Sequence, residues 1–575
     1  MKMIYSNIVS ESKVRETQME TLGIISDSLS KSFGPMGSTT AIVKNIDKNG
    51  VNINIEYTKD GHSIVKAIQF LNPIERSVQD MLTELTRYIV KEVGDGTTSA
   101  IILCAKVFST LYDKELGFYK GKSAAYIIKD LKTIISKVSK RILEKAKKCS
   151  IDDIYNIALI STNGNEEIAG TIKAIYEEFG LDVMIDVGIS TEVDNIVKKY
   201  DGMTLETGFT DICFVNNKAR NSAAINNPKI YCFNDPIDTP EMLSFLDTIL
   251  YNNILRSYQQ GSVYEPVPTV IFGKSISPDT SSYFETVVKL MNQHPGQVPL
   301  LMVTDIHQEY LYEDIAKMCG APFIKKYLNP ELQQLDIEKG LAPTLETITD
   351  FCGSAEMVEA DQLKTKIINP VKMFNEDGSY SEEYKSMLSY LETQVEKCKQ
   401  EDAGIEQISR AKRRLNSFKG NMVDFLVGGV TLADRANLKA SVEDAVLNCR
   451  SASRDGVGYG ANFMAWQVLN EIKNEDSKDA DKDGFKVLYL AYEKLLDTLY
   501  SSVYPDKSVT IIHYAIKEGC PLNIATNEFD KKVLSSIKSD VIILETIEKI
   551  LTLMYTCNQY LVQDPLHNSY IANEK

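Results

Sequence analysis

Three glycine-containing loops near the start of the chain combine the residue types that phosphate and cation binding require. Glycines let backbone N–H groups approach an anion closely, and aspartate and hydroxyl side chains offer oxygen atoms to a divalent cation. Each loop stands at one end of a helix predicted from apolar periodicity, where backbone groups lack helical partners. The loops are Ser32–Thr40, Thr58–Gly61 and Val93–Ser99.

The first two loops each have a structural interpretation beside the chemical one. In the first, Phe33, Gly34, Pro35 and Gly37 could hold phosphate through their backbone, or could form a helix C-cap and turn. In the second, the sequence predicts an Asp-Gly turn in which Asp60 caps the helix that follows. Taken alone, both loops favour the structural interpretation.

The third loop holds more polar groups than a helix start requires. Asp95 and Gly96 precede Thr97, Thr98 and Ser99, which open an apolar helix. A helix N-terminus with adjacent hydroxyls suits a phosphate group, and Asp95 could hold Mg²⁺, which prefers carboxylate, water and phosphate oxygens. The chain contains no G-x-x-x-x-G-K-[ST] sequence, so a P-loop ATPase is excluded, and a small-molecule kinase would likewise need a missing motif.

Composition narrows the class of protein further. With 575 residues the chain is too long for one hydrophobic core. Its net charge of -16 disfavours binding to nucleic acid or to an anionic membrane surface. The 10 cysteines form no C-x-x-C pair, which argues against a zinc cluster and favours a reducing compartment. Residues 1–18 also lack the apolar segment of a secretory signal, so we expect a cytoplasmic protein.

The elements that must position the loops follow a helical, then mixed, then helical order. Periodicity predicts helices through about residue 150, interrupted by a hairpin around Asn49-Gly50. From Asp201 to about Ile368, short β-like runs alternate with helical stretches, which is typical of an α/β domain. A charged helical pair broken near Gly404 follows, and the rest is helical. This order predicts a multi-domain α+β protein in which an α/β domain interrupts a helical one.

Taken jointly, these motifs resemble the nucleotide-binding signature of the chaperonin family, in its GroEL-type form. Lys439–Ala445 is similar to the segment that carries the family's catalytic aspartate, and Leu522–Thr526 is similar to its adenine-contacting loop. Asp201-Gly202-Met203 resembles the start of the family's apical domain. The resemblance extends from about residue 10 to about residue 560.

The resemblance implies an ATPase site with Mg²⁺. Asp444 and Asp60 would be catalytic and orient the attacking water, Asp95 would bind the metal, and Asp540 would be the late aspartate that holds the ribose. The residues implied in ATP binding are Phe33, Gly34, Pro35, Gly37, Asp95, Gly96, Thr97, Thr98, Ser99, Gly460, Asn523, Ile524 and Ala525.

The resemblance also implies a groove for unfolded polypeptide in the middle domain. Apolar residues at helical spacing more often face a core, so this groove depends on the resemblance. The implied groove residues are Phe209, Phe214, Leu243, Leu246, Tyr283, Val287 and Val288.

The implied fold is a chaperonin fold with a helical equatorial domain, a small intermediate hinge domain and an α/β apical domain. Its segments would be equatorial 1–143, intermediate 144–200, apical 201–422, intermediate 423–454 and equatorial 455–575. The implied partners are further copies of the chain in a single or double ring, unfolded polypeptide clients and a co-chaperonin lid. The divergence of the chain from the family pattern favours a phage- or plasmid-encoded member that acts in the host cytoplasm.

One departure from the family pattern leaves a second function open. Three glycines follow the catalytic segment in the family, and here they are replaced by Gly460, Ala461 and Asn462. A ring that has lost ATP cycling and merely holds polypeptide, as a holdase or scaffold, would be consistent with this change. The retained Asp60, Asp95 and Asp444 favour the ATPase.

Overall fold

The chain folds into two compact units. In the computed structural model the first unit comprises Met1–Asp182, Ile189–Ile196 and Phe425–Lys575, and the second comprises Val183–Gly188 and Val197–Asp424. The residues that the structure describes are 6–9, 11–46, 53–118, 124–181, 183–190, 192–205, 207–217, 221–276, 282–304, 306, 309–324, 345–375, 377, 379–400, 407, 411, 414–415, 418, 422–475, 477–557 and 559–563.

Most of the first unit is helical, and the helices of the second unit lie between its strands. In chain order the helices are α1 (Glu11–Ser30), α2 (Gly61–Ala67), α3 (Pro73–Val93), α4 (Thr97–Leu111), α5 (Ala124–Glu144), α6 (Ile151–Ser161), α7 (Glu166–Phe179), α8 (Pro240–Asn253), α9 (Ser282–Gln293), α10 (Glu309–Cys319), α11 (Glu382–Gln400), α12 (Leu432–Asp455), α13 (Phe463–Glu475), α14 (Ser477–Ala480), α15 (Asp483–Ser501), α16 (Ser508–Glu518) and α17 (Ile537–Thr556).

The strands form short hairpins and pairs in the first unit, one large sheet in the second, and a separate three-stranded sheet. In chain order they are β1 (Ser6–Val9), β2 (Thr40–Ile46), β3 (Ile53–Thr58), β4 (Met184–Ile189), β5 (Ile196–Tyr200), β6 (Gly202–Leu205), β7 (Ala223–Asn226), β8 (Lys229–Phe233), β9 (Thr269–Gly273), β10 (Leu300–Val303), β11 (Phe323–Ile324), β12 (Gly353–Ala360), β13 (Thr365–Pro370), β14 (Met422–Val427), β15 (Val457–Tyr459), β16 (Leu522–Asn523), β17 (Glu528–Phe529), β18 (Leu534–Ser536) and β19 (Tyr560–Gln563). The three-stranded sheet has the order β4-β14-β5.

Helix α4 lies at the centre of the first unit's core. Its residues from Ala100 to Cys104 are all fully buried, so this helix is apolar on every side, as a helix surrounded by other helices must be. Helix α3 buries one stripe only, through Val78, Leu82 and Ile89. It begins at Pro73 behind the N-cap Asn72, where the missing proline N–H costs no helical hydrogen bond.

Two small antiparallel pairs of the first unit join distant parts of the chain, β1 with β19 and β15 with β18. Strands β16 and β17 form a short hairpin. Strands β2 and β3 form the hairpin that the sequence predicts. Its predicted turn at Asn49-Gly50 lies outside the described residues.

The second unit is built on a mixed sheet in the order β10-β9-β8-β12-β13-β6, with β11 also beside β8 and β7 beside β12. Strands β8, β9 and β10 are parallel and run through the core, which explains their unbroken apolar sequences. Helices α8, α9 and α10 pack against this sheet through a continuous apolar cluster. The expected α/β middle region is therefore confirmed.

The predicted fold class, a multi-domain mixture of helices and strands, is confirmed. The finer division into five segments stays a prediction, although the second unit occupies Val197–Asp424 where the sequence predicts the apical segment 201–422. Helix α11 forms the start of the predicted charged pair, and the break at Gly404 lies outside the described residues. Among the described helices, none has the length and apolar character to cross a membrane.

Candidate functional site

The second and third loops touch each other in the first unit. Asp60 is the N-cap of α2: its Oδ1 accepts a hydrogen bond from the N–H of His62 at 3.1 Å, and its Oδ2 accepts one from the N–H of Ser63 at 2.8 Å. A Cβ atom on Gly61 would lie 2.6 Å from Oγ1 of Thr98, so only glycine permits this approach. The predicted cap is confirmed, and Asp60 is held at the start of α4.

The third loop presents a carboxylate beside the N-terminus of α4. Oδ1 of Asp95 accepts from the N–H of Gly96 at 2.6 Å, and Oδ2 accepts from Nδ2 of Asn448 at 3.1 Å. Burial raises the pKa of Asp95. In the described part of the chain no side chain caps α4 at Gly96, so the first-turn N–H groups, including those of Thr97 and Ser99, have no side-chain acceptor there. Such a helix end suits an anion.

Helix α12 brings Asp444 to the same place. A Cβ atom on Gly94 would lie 2.1 Å from Cβ of Leu447, so α12 packs directly on the third loop. Burial, together with the negative charges of Asp95 and Asp60, holds the pKa of Asp444 well above its usual range. Asp95 and Asp60, although distant in sequence, therefore lie close enough to Asp444 to oppose its ionisation.

The first loop is a tight turn after α1. Gly34 has a left-handed φ of 80° and its carbonyl accepts from the N–H of Gly37 at 3.0 Å. A Cβ atom on Gly37 would lie 2.2 Å from the carbonyl oxygen of Ser32, which forbids a side chain there. Phe33 is buried in the core of the unit, whereas Pro35 is exposed. The structure thus contains the predicted turn, and phosphate binding by this loop stays a prediction.

The segment that departs from the family's three glycines keeps a glycine-like backbone. Ala461 and Asn462 have φ values of 56° and 58°, in the left-handed region that glycine adopts most easily. Gly460 donates its N–H to the carbonyl of Val533 at 3.0 Å. Nδ2 of Asn462 donates to Oγ of Ser99 at 3.0 Å, so this segment contacts the first turn of α4.

The predicted adenine-contacting residues lie in the β16–β17 hairpin. Oδ1 of Asn523 accepts from the N–H of Ala525 at 3.0 Å, and Ile524 is buried in the same core as Phe33. Asp530 follows the hairpin and donates its N–H to the carbonyl of Pro521 at 3.0 Å. The sequence reasoning did not single out Asp530, although its carboxyl group comes shortly after the predicted adenine loop.

Asp540, expected at the ribose, is turned into the protein. Its carboxylate is only 7% exposed and accepts from the N–H of Ala465 at 3.1 Å. Burial raises the pKa of Asp540 to about 7, and the negative charge of Asp95 contributes to the rise. The buried Tyr492 lies near enough for its own pKa to be raised by Asp540. A role in holding ribose is therefore inconsistent with its position.

The site is better suited to a metal ion held by one carboxylate than to a metal ion held by several protein side chains. Among the described residues, no three His, Cys, Asp or Glu side chains are grouped closely enough to hold a metal ion. Mg²⁺ commonly takes one or two carboxylates and completes its shell with water and phosphate oxygens. Asp95, beside an uncapped helix N-terminus and within the field of two further carboxyl groups, meets that requirement.

The predicted groove residues of the second unit are mostly not exposed. Phe209 and Val288 are half-buried, whereas Tyr283 is 39% exposed and stacks on Tyr251 of α8 with ring centroids 6.0 Å apart. The expected exposure was wrong for four of the seven. Three of them lie on α8 or α9 with their side chains in the core of the second unit, and Phe214 is buried in the same core from the short turn Ile212–Phe214. The four core residues are Phe214, Leu243, Leu246 and Val287.

Comparison with known proteins agrees with this arrangement. The model of the TCP-1/cpn60 chaperonin family matches residues 25–528. Chaperonin GroEL from Ehrlichia chaffeensis is 24% identical over 97% of this chain and 96% of its own length, and chaperonin GroEL from Anaplasma marginale (strain Florida) is 25% identical over the same shares.

A similar fold is also known from a crystal structure. The chaperonin gp146 from bacteriophage EL 2 (Pseudomonas aeruginosa), crystallised in the presence of ATP-BeFx, aligns with a TM-score of 0.67 and 16% identity. The alignment covers 97% of this chain and 99% of that one.

The chain belongs to the TCP-1/cpn60 chaperonin family, because the family model spans most of its length. It is a ring-forming chaperonin that assists protein folding. The family predicted from the sequence is thereby confirmed.

Proposed function

We propose that this chaperonin binds ATP with Mg²⁺ and hydrolyses it at the site formed by the second loop, the third loop and α12. The observation that carries the proposal is the convergence of Asp60, Asp95 and Asp444; burial first, and then the charges of Asp95 and Asp60, raise the pKa of Asp444. A bound cation would relieve the repulsion between these carboxyl groups. Crystallisation of the phage chaperonin in the presence of ATP-BeFx supports nucleotide binding in this fold.

Each residue of the site has a role that its position supports. The N–H groups at the start of α4, with the hydroxyls of Thr97 and Thr98, would hold the phosphates. Asp95 would bind Mg²⁺, which supplies positive charge against the developing charge on the phosphate oxygens. Asp444 and Asp60 would orient and polarise the attacking water. Ionised Asp444 is needed for this, and neutralising the charge of Asp95 favours its ionisation.

The remaining nucleotide contacts are assigned by proximity to these groups. The first loop would contact phosphates through the backbone of Gly34 and Gly37, and Gly460 would approach the nucleotide beside Asn462. The hairpin from Asn523 to Ala525 would contact the base. We assign the ribose contact to Asp530, since Asp540 is buried.

Partners and location follow from membership of the family. Unfolded polypeptides would be the clients, and the exposed pair Tyr251 and Tyr283 is the apolar surface between α8 and α9 that could contact them. Further copies of the chain would form a single or double ring in the cytoplasm. A co-chaperonin lid would close it, and electron microscopy of the purified assembly would count rings and subunits.

The deciding experiment is steady-state hydrolysis of ATP in Mg²⁺ by the purified assembly, with wild type beside Asp444→Ala. We expect the variant to bind ATP normally and to hydrolyse it at least ~100-fold more slowly, the usual loss when a group that handles the attacking water is removed. Glu443→Ala is the matched control, because it removes a neighbouring carboxylate that pairs with Lys439 at 2.8 Å. Its rate should stay within about twofold of wild type.

A different result would favour the passive ring. If wild type remains folded and assembled but does not hydrolyse ATP, the chaperonin holds polypeptide without cycling. The left-handed backbone of Ala461 and Asn462 argues against that outcome, because the conformation needed near the nucleotide survives the loss of two glycines.

A further inference from the structure

Asn448 is a buried amide that contacts three parts of the first unit. It is 1% exposed and lies on α12. Its Nδ2 donates to Oδ2 of Asp95 at 3.1 Å and to Oγ of Ser161 at 3.2 Å. Its Oδ1 accepts from the N–H of Ser536 at 2.9 Å and from Oγ of Ser535 at 3.4 Å. The amide is therefore surrounded by partners on both sides.

The orientation of this amide is fixed by chemistry. The backbone N–H of Ser536 can only donate, so the atom that faces it must be the carbonyl oxygen of Asn448. The NH₂ group must then face Asp95 and Ser161, where a carboxylate and a hydroxyl can accept. Exchanging oxygen and nitrogen would place two acceptors against each other at Asp95, which excludes the alternative.

Asn448 also lies on the same face of α12 as the proposed catalytic carboxyl. Asp444 precedes it by four residues, which is close to one helical turn. Leu447, between them in sequence, packs on Gly94 at the start of the third loop. A shift of α12 along or about its axis would therefore move the donor to Asp95 and the carboxyl of Asp444 together.

We propose that Asn448 is a positioning residue: its amide holds Asp95 in the orientation that binds Mg²⁺ and makes that orientation depend on the position of α12. The inference rests on the proposed ATPase function of the same site. Hydrogen bonds from outside a metal's ligand shell orient the ligands, and their loss typically weakens metal binding by about 10–100-fold. Asn448 contributes such a bond to Oδ2 of Asp95, and the N–H of Gly96 bonds the other oxygen, Oδ1.

The test compares metal affinity with nucleotide affinity in the full-length assembly. We would measure binding of Mn²⁺, as a spectroscopic probe for Mg²⁺, by electron paramagnetic resonance in the presence of ADP. ADP binding without metal would be measured separately in EDTA by calorimetry. For Asn448→Ala we expect at least ~10-fold weaker Mn²⁺ binding, with ADP binding in EDTA unchanged. In steady state, the Mg²⁺ concentration for half-maximal hydrolysis should rise while the rate at saturating Mg²⁺ changes less.

Ser161→Ala is the matched control, because it removes the other acceptor of the same NH₂ group and leaves the bond to Asp95 in place. It should change Mn²⁺ affinity by less than about twofold. Asn448→Ser is the second variant, in case the alanine variant does not fold. A serine can still bond near Ser536 but is too short to reach Asp95, so it should show the same loss of metal affinity.

The outcomes distinguish failure of this inference from failure of the proposed ATPase function. If wild type binds Mn²⁺ with ADP and folded Asn448→Ala or Asn448→Ser does so equally well, Asn448 is purely structural and the proposal is overturned. Equal losses of Mn²⁺ affinity and of ADP affinity in EDTA would also overturn it, because they would indicate a general disturbance of the site. If wild type itself binds neither ADP nor Mn²⁺, the proposed ATPase function fails, and this inference fails with it.

Discussion

At the residue scale, the site holds Asp95 where its negative charge makes the ionisation of two buried carboxyl groups harder. Asp444 and Asp540 lie on different helices, and the negative charge of Asp95 contributes to the raised pKa of both. Burial is the larger cause in each case. The first unit therefore stores electrostatic repulsion around Asp95, which a bound cation would relieve. This is the physical basis for placing the metal there.

Asp540 gives this repulsion a measurable effect on stability. Its folded-state pKa of about 7 exceeds the value of about 3.9 for an unfolded aspartate. Between these values the folded state binds more protons, so the free energy of unfolding falls as pH rises, by up to about 1.4 kcal/mol per pH unit. The contribution is fully favourable below about pH 4 and is lost through about pH 7.

The prediction concerns Asp540→Asn. The amide oxygen can still accept from the N–H of Ala465, but the side chain cannot ionise. We expect the variant to lose less stability than wild type between about pH 5 and about pH 8, in urea unfolding followed by circular dichroism. Parallel pH profiles for the two proteins would show that Asp540 is ionised throughout and would contradict the assignment. Asp80→Asn, at an exposed surface carboxylate, would control for the general loss of negative charge.

Sequence reasoning located the acidic residues better than their neighbours. Asp60, Asp95 and Asp444 were recognisable because short motifs surround them. Asn448 and Asp530 were not, because their roles depend on which backbone groups and carboxylates the fold brings beside them. The available signal for Asn448 was its position four residues after Asp444, on the same face of a helix. Helical spacing does not reveal which groups from other elements lie against that face.

At the element scale, the contact between α12 and the third loop decides where Asp444 lies. Gly94 ends α3 in the left-handed region with φ 76°, and Leu447 of α12 occupies the space that a side chain there would need. Gly519 ends α16 with a similar φ of 69°, but no atom lies within 4 Å of a Cβ placed on it. Both glycines adopt a left-handed φ, but only Gly94 has another side chain packed where its own Cβ atom would lie.

We predict that Gly94→Ala destabilises the first unit by more than Gly519→Ala does. Both variants place alanine in the left-handed region at a cost of about 1–2 kcal/mol. Gly94→Ala should add about 1–3 kcal/mol of overpacking against Leu447 and reduce ATP hydrolysis, since α12 must move. Chemical unfolding and steady-state hydrolysis measure the two effects. Equal destabilisation of the variants would mean that α12 adjusts freely and does not fix Asp444.

The second unit shows where element-level prediction stops. The alternation of strands and helices correctly indicated an α/β region, and the resemblance correctly implied helices at α8 and α9. Apolar periodicity could not tell which apolar side chains face the sheet and which face solvent, because both arrangements give the same spacing. Leu246 and Val287 therefore proved to be core residues, while Tyr283 remained exposed.

At the scale of the whole molecule, the chain has two separate apolar cores, one in each unit. A buried ion pair supports the second core. Asp314 of α10 is fully buried, and both its oxygens accept from Arg414, at 2.9 Å from Nε and 2.8 Å from Nη2. Burial raises the pKa of Asp314, which shows how much its charge depends on this partner. The pair belongs wholly to the second unit.

The single tryptophan allows the units to be followed separately. Trp466 is fully buried in the core of the first unit and donates its indole N–H to the carbonyl of Ile512 at 3.4 Å. Its fluorescence therefore reports unfolding of the first unit, whereas circular dichroism reports both units. Two cores of this kind predict that a lesion in one shifts one signal more than the other.

We predict that Arg414→Met destabilises the second unit by about 3–5 kcal/mol, because it leaves the carboxylate of Asp314 buried without its charged partner. Part of the dichroism transition should move to lower urea while the Trp466 fluorescence transition stays in place. Adding Asp314→Leu should recover much of the loss, since a buried pair replaced by apolar groups is often tolerated. If fluorescence and dichroism shift together in Arg414→Met, the two units unfold as one cooperative structure, and the separation into two independent cores is wrong.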